Sequence, residues 1–210
     1  MKVLVACEES QTVCKAFRSR GHEAYSCDIL DCSGGHPEWH IREDALQALK
    51  AGNITTMDGY THHINQWDLL IAHPPCTYLS GAGSRWLYKG GELNRDRYSL
   101  GVKAKEFFMS FYNAPIGKIC VENPTPSKIY GLPPHSQVVQ PYEYGEMYQK
   151  RTLLWLKGLP PLHPTRIIAN PIPTSKSLWF TLGCGEERRR RRSKTFTGIA
   201  EAMAEQWGGL

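Results

Sequence analysis

The sequence lacks long apolar runs. No segment approaches the roughly 20 consecutive apolar residues that are needed to span a bilayer. The apolar start, Met1 to Ala6, is followed at once by Cys7, Glu8 and Glu9, which is not the pattern of a signal peptide. We therefore expect a cytoplasmic protein with no membrane partner.

The sequence also lacks a disulfide framework and a general excess of charge. Its seven cysteines are odd in number and widely spaced, so we expect free thiols. The net charge of +5 equals the contribution of Arg188 to Arg192 alone, so the rest of the chain is formally neutral. Such a run is typical of a solvated segment, and it also suits contact with a phosphate backbone.

No internal repeat and no second domain boundary is visible. A chain of 210 residues that is 41% hydrophobic is long and apolar enough to form one well-buried domain. We expect residues 1–210 to form a single domain, with a short proline-rich and arginine-rich insertion at about 157–193.

The chain begins with a βαβ pattern. Lys2 to Ala6 reads as a buried parallel strand, Ser10 is a candidate cap for a following helix, and Glu23 to Cys27 reads as a second strand. Asp28 then lies 22 residues beyond Ala6, close to the offset of roughly 20 at which a carboxylate meets ribose hydroxyls. The glycines that such a nucleotide-binding loop normally carries are missing.

The loop that follows the second strand contains a possible metal-ligand set. Cys27, Cys32, His36 and His40 have the spacing C-x4-C-x3-H-x3-H. This matches none of the usual paired spacings of zinc ligands, and a histidine-rich surface loop is the alternative. We predict no metal site, although the sequence leaves open whether these four residues bind one.

A strand that ends in a rigid turn lies near the middle of the chain. Leu69 to Ala72 is too short an apolar run for a helix, and Pro74-Pro75 cannot continue either a helix or a sheet, so the chain must turn at His73. The turn presents the thiol of Cys76. Small residues then make a loop from Thr77 to Trp86 that suits a lid over a ligand.

The other predicted elements follow from apolar periodicity and from turn residues. Asp44 is a good cap for a short helix through Ala51, and Asn53 to Gln66 is expected to be a polar connection. The later predictions are a helix at Arg95–Tyr112 packed through Leu100, Ala104, Phe107, Phe108 and Phe111, strands at Lys118–Val121, Lys150–Leu156 and Leu178–Leu182, and a closing helix at Phe196–Trp207.

Four of the predicted strands end in polar residues. In an α/β fold with a mostly parallel sheet, the segments Cys7–Glu9, Asp28, His73–Cys76 and Glu122-Asn123 would lie along one edge. A thiol and a carboxylate in one crevice suit covalent chemistry, in which the thiolate attacks and the carboxyl group moves a proton. The alternative is that Cys76 is a buried structural cysteine.

These motifs resemble those of the DNA cytosine-5 methyltransferases. Pro75-Cys76 is similar to the loop that supplies the nucleophile in that family, and Glu122-Asn123 to the family's Glu-Asn dipeptide. Gln149–Thr152 loosely matches the arginine-bearing strand, and Thr195–Ala204 the last motif. The resemblance implies a Rossmann-like fold, S-adenosylmethionine as cofactor and DNA as substrate.

The resemblance also implies roles for individual residues. Cys76 would add to C6 of a flipped-out cytosine while a protonated Glu122 hydrogen-bonds N3, and Arg151 or Lys150 would hold O2. The further substrate contacts that we predict are Asn123, Arg85 and Arg190.

The implied cofactor contacts come from both ends of the chain. They are Cys7, Glu8, Ser10, Asp28, Ile29, Asp44, Pro75, Phe196 and Thr197. Asp44 would lie near the adenine amine, or else only caps a helix, and the sequence does not decide between the two roles.

The chain departs from the family in the region that recognises the target sequence. Only about forty residues, Leu153 to Ser193, separate the arginine strand from the last motif. This short segment could contact DNA through Arg188 to Arg192, depend on a partner, or serve a short or single-stranded DNA substrate. Two alternatives remain: an amino-directed DNA methyltransferase, in which an aromatic residue normally stands where Cys76 does, and a non-catalytic nucleic-acid-binding relative, which would need neither Cys76 nor Glu122.

Overall fold

A computed structural model describes residues 1–176, 185 and 191–210 and shows a central seven-stranded sheet. Its strands are, in chain order, β1 (Lys2–Ala6), β2 (Glu23–Asp28), β3 (His40–Arg42), β4 (Leu69–Ala72), β5 (Ile119–Asn123), β6 (Gln137–Val139) and β7 (Thr152–Lys157). The helices are α1 (Thr12–Arg18), α2 (Ala45–Ala48), α3 (Gly81–Ser84), α4 (Arg95–Tyr112) and α5 (Thr197–Trp207). Two antiparallel hairpins stand apart from the sheet, Gly52–Thr55 with Thr61–Ile64 and Tyr88–Lys89 with Glu92–Leu93.

The strand order of the sheet is β3-β2-β1-β4-β5-β7-β6. Only β7 runs against the others, because it pairs antiparallel with both β5 and β6. The chain builds outward from β1 to β3, returns to β4, and then builds the other half, so the order reverses between β1 and β4. This sheet confirms the predicted Rossmann-like α/β fold with a mostly parallel central sheet.

The core lies on both faces of the sheet. Along β1, Val3 and Val5 belong to a cluster with α1 and α5, whereas Leu4 and Ala6 face a second cluster with α2 and α4. Because helices cover both faces, the central strands are apolar at nearly every position. This explains why β1 and β4 read as continuous apolar runs.

The start of α1 differs from the prediction. Ser10 was expected to cap the helix, but its hydroxyl pairs with that of Thr12, and the prediction is wrong. The carboxylate of Glu8 instead accepts hydrogen bonds from the backbone N–H groups of Val13 (2.7 Å) and Cys14 (3.2 Å). A left-handed turn at Gln11 (φ 58°) brings the helix start to this carboxylate, which is stabilised at the positive end of the helix.

The segment after Asp44 is more ordered than expected. The helix ends at Ala48, and Ala51 and Gly52, both with positive φ, turn the chain into the hairpin Gly52–Thr55 with Thr61–Ile64. The prediction of a polar connection was therefore wrong. Its apolar residues, Ile54 and Ile64, are buried against the second core cluster.

Helix α4 matches its predicted bounds, but its buried face is rotated at the start. Phe108 and Phe111 are fully buried as predicted, whereas Leu100 is 41% exposed. The neighbouring Gly101 is buried against the ring of Tyr130, where any Cβ atom would overlap the ring. At this turn of the helix, Gly101 is therefore the buried residue where Leu100 was predicted to be.

The proline-rich insertion is held along the segment 142–149. Backbone hydrogen bonds run from the N–H of Gly145 to the carbonyl of Arg166 (2.7 Å) and from the N–H of Gln149 to the carbonyl of Ile172 (3.0 Å).

The predicted strand Leu178–Leu182 and the substrate candidate Arg190 lie outside the described residues. The single domain at 1–210 stays a prediction. Within the described ranges, no helix combines the length and the apolar character needed to cross a membrane.

Helix α5 requires a glycine at its second position. A Cβ atom on Gly198 would overlap the backbone carbonyl of Tyr144, and backbone cannot move aside as a flexible side chain does. We expect Gly198→Ala to lower the free energy of unfolding by about 1–3 kcal/mol, measured by urea denaturation. Gly117→Ala is the matched control, because a Cβ there meets nothing within 4 Å. Equal stability of the two variants would contradict the close contact.

Candidate functional site

The carboxyl ends of four parallel strands meet at one edge of the sheet, as predicted. Strand β4 lies between β1 and β5, and its last residue, Ala72, is in register with Ala6 and Val121. The residues that follow these three positions are therefore neighbours. They bring Glu8, His73 and Glu122 together at the point where the strand order reverses.

The turn that carries Cys76 is fixed at both ends. The backbone N–H of His73 donates to the carbonyl of Ala6 (2.9 Å), and that of Ser80 donates to the carbonyl of Cys76 (2.9 Å). Ser127 N–H donates to the carbonyl of Leu79 (2.7 Å), which ties the turn to the segment after β5. The thiol is thus held on a rigid support beside the end of β5.

Cys76 and Glu122 lie close enough for their charges to interact. Burial raises the pKa of the Cys76 thiol, and the negative charge of Glu122 raises it further, while Lys150 and Arg192 oppose both effects. The thiol therefore loses its proton only above the ordinary range for cysteine. The structure brings together the thiol and the carboxylate that the sequence placed in one crevice.

Glu122 is ionised in the free protein. Burial raises the pKa of its carboxyl group, but the contact with His73 and the charges of Lys150 and His73 outweigh burial and leave the pKa below its usual value. Nδ1 of His73 lies 3.5 Å from Oε2 of Glu122, too far for a strong direct hydrogen bond. The protonated Glu122 that the sequence implied is therefore not the resting form.

The cation at the site is Lys150. Its charge acts on both Glu122 and Cys76, and its Nζ donates to the carbonyl of Arg192 (2.9 Å) and lies 5.7 Å from the ring of Phe196. Arg151, the predicted catalytic arginine, is exposed and lies just before the start of β7.

The remaining substrate candidates occupy different environments. Asn123 is fully buried, and neither atom of its amide has a hydrogen-bond partner among the described residues. Arg85 is exposed at the end of α3, with its guanidinium 4.9 Å from the ring centre of Trp86, which is itself 59% exposed. Arg85 and Trp86 belong to the predicted lid, which continues into the hairpin Tyr88–Lys89 with Glu92–Leu93.

Three of the predicted cofactor residues, Cys7, Asp28 and Asp44, lie close together near the ends of β1, β2 and β3. The charges of Asp28 and Asp44 add to burial in raising the pKa of the Cys7 thiol. Ile29 is 69% exposed beside them and offers an apolar surface. Oδ1 of Asp44 accepts a hydrogen bond from the N–H of Leu46 (2.9 Å), so its helix-capping role is real, and its position does not exclude a ligand contact.

Glu8 and Ser10 face inward. Glu8 is 4% exposed and accepts a hydrogen bond from the backbone at the start of α1, and Ser10 is 8% exposed. The loop nevertheless adopts the left-handed backbone for which glycine is the usual residue, at Cys7 (φ 58°) and at Gln11. Gln11 was missed as a structural residue: it is fully buried, and its amide bonds the backbone of His36 in both directions (2.8 and 3.0 Å).

The residues present fit the nucleoside part of S-adenosylmethionine. An acidic side chain and an exposed apolar one stand at the end of β2, and the first loop beside them has positive φ at Cys7 and Gln11 without glycines. The other candidates lie further along the edge: Pro75 is exposed in the Cys76 turn, Phe196 is 8% exposed beside Lys150, and Thr197 is exposed at the start of α5.

The possible zinc ligands are engaged separately. His40 is fully buried and bonded to Ser26 (2.8 Å) and to the carbonyl of Leu30 (2.9 Å), while His36 is stacked on Trp39 and paired with Glu38. In the part of the chain that the structure describes, no three His, Cys, Asp or Glu side chains are grouped to hold a metal ion.

Comparisons with known proteins add little beyond the fold. No protein-family model and no curated protein matches the chain. Among solved structures, it is similar to an E. coli prophage protein described as a "putative DNA modification methyltransferase", with 13% sequence identity and a TM-score of 0.46. The match covers 85% of this chain and 54% of that one, so this chain spans about half the length of the solved protein.

The charges around Cys76 make its alkylation rate a direct test of the site. We expect Glu122→Gln to speed the reaction of Cys76 with iodoacetamide at pH 7 by about 3- to 10-fold, because loss of a nearby negative charge lowers the pKa of the thiol. Lys150→Gln should slow it, because a charge that lowers the pKa is lost. Peptide mass spectrometry would follow Cys76 alone.

Glu106→Gln is the control, since it removes a carboxylate from the exposed face of α4. An unchanged Cys76 rate in Glu122→Gln would show that the two side chains do not share a site.

Proposed function

We propose that this protein is an S-adenosylmethionine-dependent DNA cytosine-5 methyltransferase that works through a covalent Cys76 adduct. The observation that carries the proposal is the electrostatic coupling of Cys76 and Glu122 beside Lys150, at the edge where the strand order reverses. A nucleophile, a proton-transfer group and a cation are the three groups that this chemistry needs.

The thiolate solves the problem that C5 of cytosine is a poor nucleophile. Cys76 Sγ adds to C6, and the electron pair of the C5–C6 double bond moves into the ring toward N3. A proton from Glu122 neutralises N3, and Lys150 polarises O2. We assign that role to Lys150 rather than Arg151, because the charge of Lys150 acts on both reacting groups.

S-adenosylmethionine, when bound, supplies the electrophilic methyl group that the activated C5 accepts. Asp28 would hold the ribose hydroxyls, and the exposed Ile29 would pack against the adenine. Solvent water then takes the C5 proton, the C5–C6 double bond re-forms, and the C6–S bond breaks to regenerate Cys76. The chain itself therefore contributes orientation, the nucleophile and the proton on N3.

The substrate must present an unstacked cytosine. Taking a base out of a duplex costs roughly a few kcal/mol, and a single strand largely avoids this cost. Arg85 stacked on the exposed Trp86 offers a platform for a flanking base next to the Cys76 turn. We therefore propose single-stranded or short DNA as the substrate, with phosphate contacts from the arginine run at 188–192.

Trapping with 5-fluorocytosine tests the covalent step. Fluorine at C5 cannot leave as the proton does, so the adduct with Cys76 should accumulate in the presence of S-adenosylmethionine and survive denaturing electrophoresis. We expect Cys76→Ser to abolish it, and Cys32→Ser, which changes a thiol in another loop, to retain it. Single-stranded and duplex oligonucleotides would be compared.

The outcomes separate the alternatives. No adduct with any cytosine-containing strand would contradict the proposal. Radiolabel from the cofactor on an exocyclic amine would indicate an amino-directed methyltransferase. Binding of DNA without any transfer would indicate a non-catalytic relative.

The cofactor site is tested by a matched pair of isoleucine variants. We expect Ile29→Ala to weaken binding of S-adenosylmethionine by about tenfold in calorimetry, since burial of the isoleucine side chain against adenine contributes roughly 1–1.5 kcal/mol. Ile167→Ala is the control, because Ile167 is 68% exposed compared with 69% for Ile29 and lies in the connector. Equal affinities of the two variants would remove Ile29 from the site.

A further inference from the structure

His73 is a buried imidazole that the mechanism above leaves unused. It follows the last residue of β4, and its side chain is only 7% exposed. Neither ring nitrogen has a hydrogen-bond partner among the described residues. Burying a polar group without a partner costs free energy, so an unpaired imidazole at this position calls for an explanation.

Two carboxylates flank this imidazole, one from each neighbouring strand. Oε2 of Glu122, on β5, lies 3.5 Å from Nδ1 of His73. Glu8, after β1, accepts hydrogen bonds from the N–H groups of Val13 and Cys14. Burial raises the pKa of its carboxyl group, and the charge of His73 is the strongest influence that opposes this effect. The three side chains therefore stand in the order Glu8, His73, Glu122 across the edge of the sheet.

The proposed chemistry needs a proton that Glu122 lacks at rest. Glu122 must donate a proton to N3 of the base, yet its carboxyl group is ionised in the free protein. A ring nitrogen of His73 lies 3.5 Å from Oε2 of Glu122, so the imidazole is placed to supply this proton.

We infer that His73 stores the proton for Glu122 and passes it from Nδ1 to Oε2 when the bound base brings these atoms from 3.5 Å to hydrogen-bond distance. This inference rests on the proposed function. The N–H bond breaks as the O–H bond forms, so an imidazolium and a carboxylate become a neutral imidazole and a carboxylic acid with no change in total charge. When Sγ bonds to C6, the same proton moves from Oε2 to N3, and it returns when the thiolate leaves.

The transfer also prepares the nucleophile. The negative charge of Glu122 is one of the two effects that raise the pKa of Cys76, and it disappears once Glu122 is neutral. Lys150 then acts on the thiol without that opposition, so the S–H bond breaks more easily and the thiol proton is lost to solvent water as the thiolate forms. One proton movement therefore makes the acid available and activates the thiol.

The charged groups around His73 define the expected pH dependence. Glu8 faces it from the β1 side and Glu122 from the β5 side, while Lys150 from the start of β7 and Cys76 from its own turn act through Glu122. Rising pH favours the thiolate but removes the stored proton. The rate of adduct formation in the unaltered protein should therefore pass through a maximum.

The experiment measures single-turnover adduct formation on a single strand containing 5-fluorocytosine, as a function of pH. His73→Asn places an amide N–H near the position of Nδ1 but cannot store a proton. We expect its rate to fall by about 100-fold at pH 7.5 and to recover as the pH is lowered, because solvent then protonates Glu122 directly. The alkaline limb of the profile should move to lower pH.

Glu122→Gln supplies the control for a structural role. Its amide donates to N3 without any proton transfer, so adding His73→Asn to Glu122→Gln should change the remaining rate by less than about twofold. Binding of S-adenosylmethionine and the urea midpoint would be measured for each variant. His73→Gln, which keeps an amide at the other ring nitrogen, serves if His73→Asn does not fold.

The results distinguish this inference from the proposed function. No adduct in the unaltered protein defeats the proposed function itself. An adduct that His73→Asn forms with an unshifted pH profile leaves the function intact and overturns the role of His73. A loss of rate that is equal at every pH, or that persists in the Glu122→Gln background, also overturns it, because such a loss is structural.

Discussion

The placement of β4 between β1 and β5 is the constraint on which the rest of the site depends. Parallel pairing in register puts Ala72 beside Ala6 and Val121, and each of these is the last buried apolar residue before a polar segment. Because helices cover both faces of the sheet, the polar residues of these segments must lie beyond the ends of the strands. At the carboxyl edge of the sheet, the charged residues that follow adjacent buried strands lie next to one another.

The charges at this edge are balanced across several elements. Two partly or fully buried carboxylates, Glu8 and Glu122, face the imidazole of His73, and Lys150 reaches Glu122 from the start of β7. Such a cluster is sensitive to what binds beside it, because each group changes the proton affinity of the next in a site with little water. The thiol of Cys76 lies within the field of the same charges, so its reactivity depends on the protonation of Glu122.

Much of this arrangement was visible in the sequence because it is local. The apolar runs at Lys2–Ala6 and Leu69–Ala72 and the proline pair after His73 predicted strands and a turn that the structure confirms. The polar end of each strand was equally visible. Features that depend on a residue distant in the sequence were not visible. Gly101, which packs against Tyr130, is buried where Leu100 was expected, and Glu8 accepts the hydrogen bonds at the start of α1 that were expected for Ser10.

The sequence by itself determined which residues end the strands and therefore which chemistry is available: a thiol, two carboxylates and a cation. Only the tertiary structure decided which of them act on one another. It favoured Lys150 over Arg151, left Glu122 charged at rest, and set an unpaired His73 between two carboxylates. The reason is physical: periodicity fixes the face on which a side chain lies, but a pKa is set by burial and by charges that strands distant in sequence bring within a few ångströms.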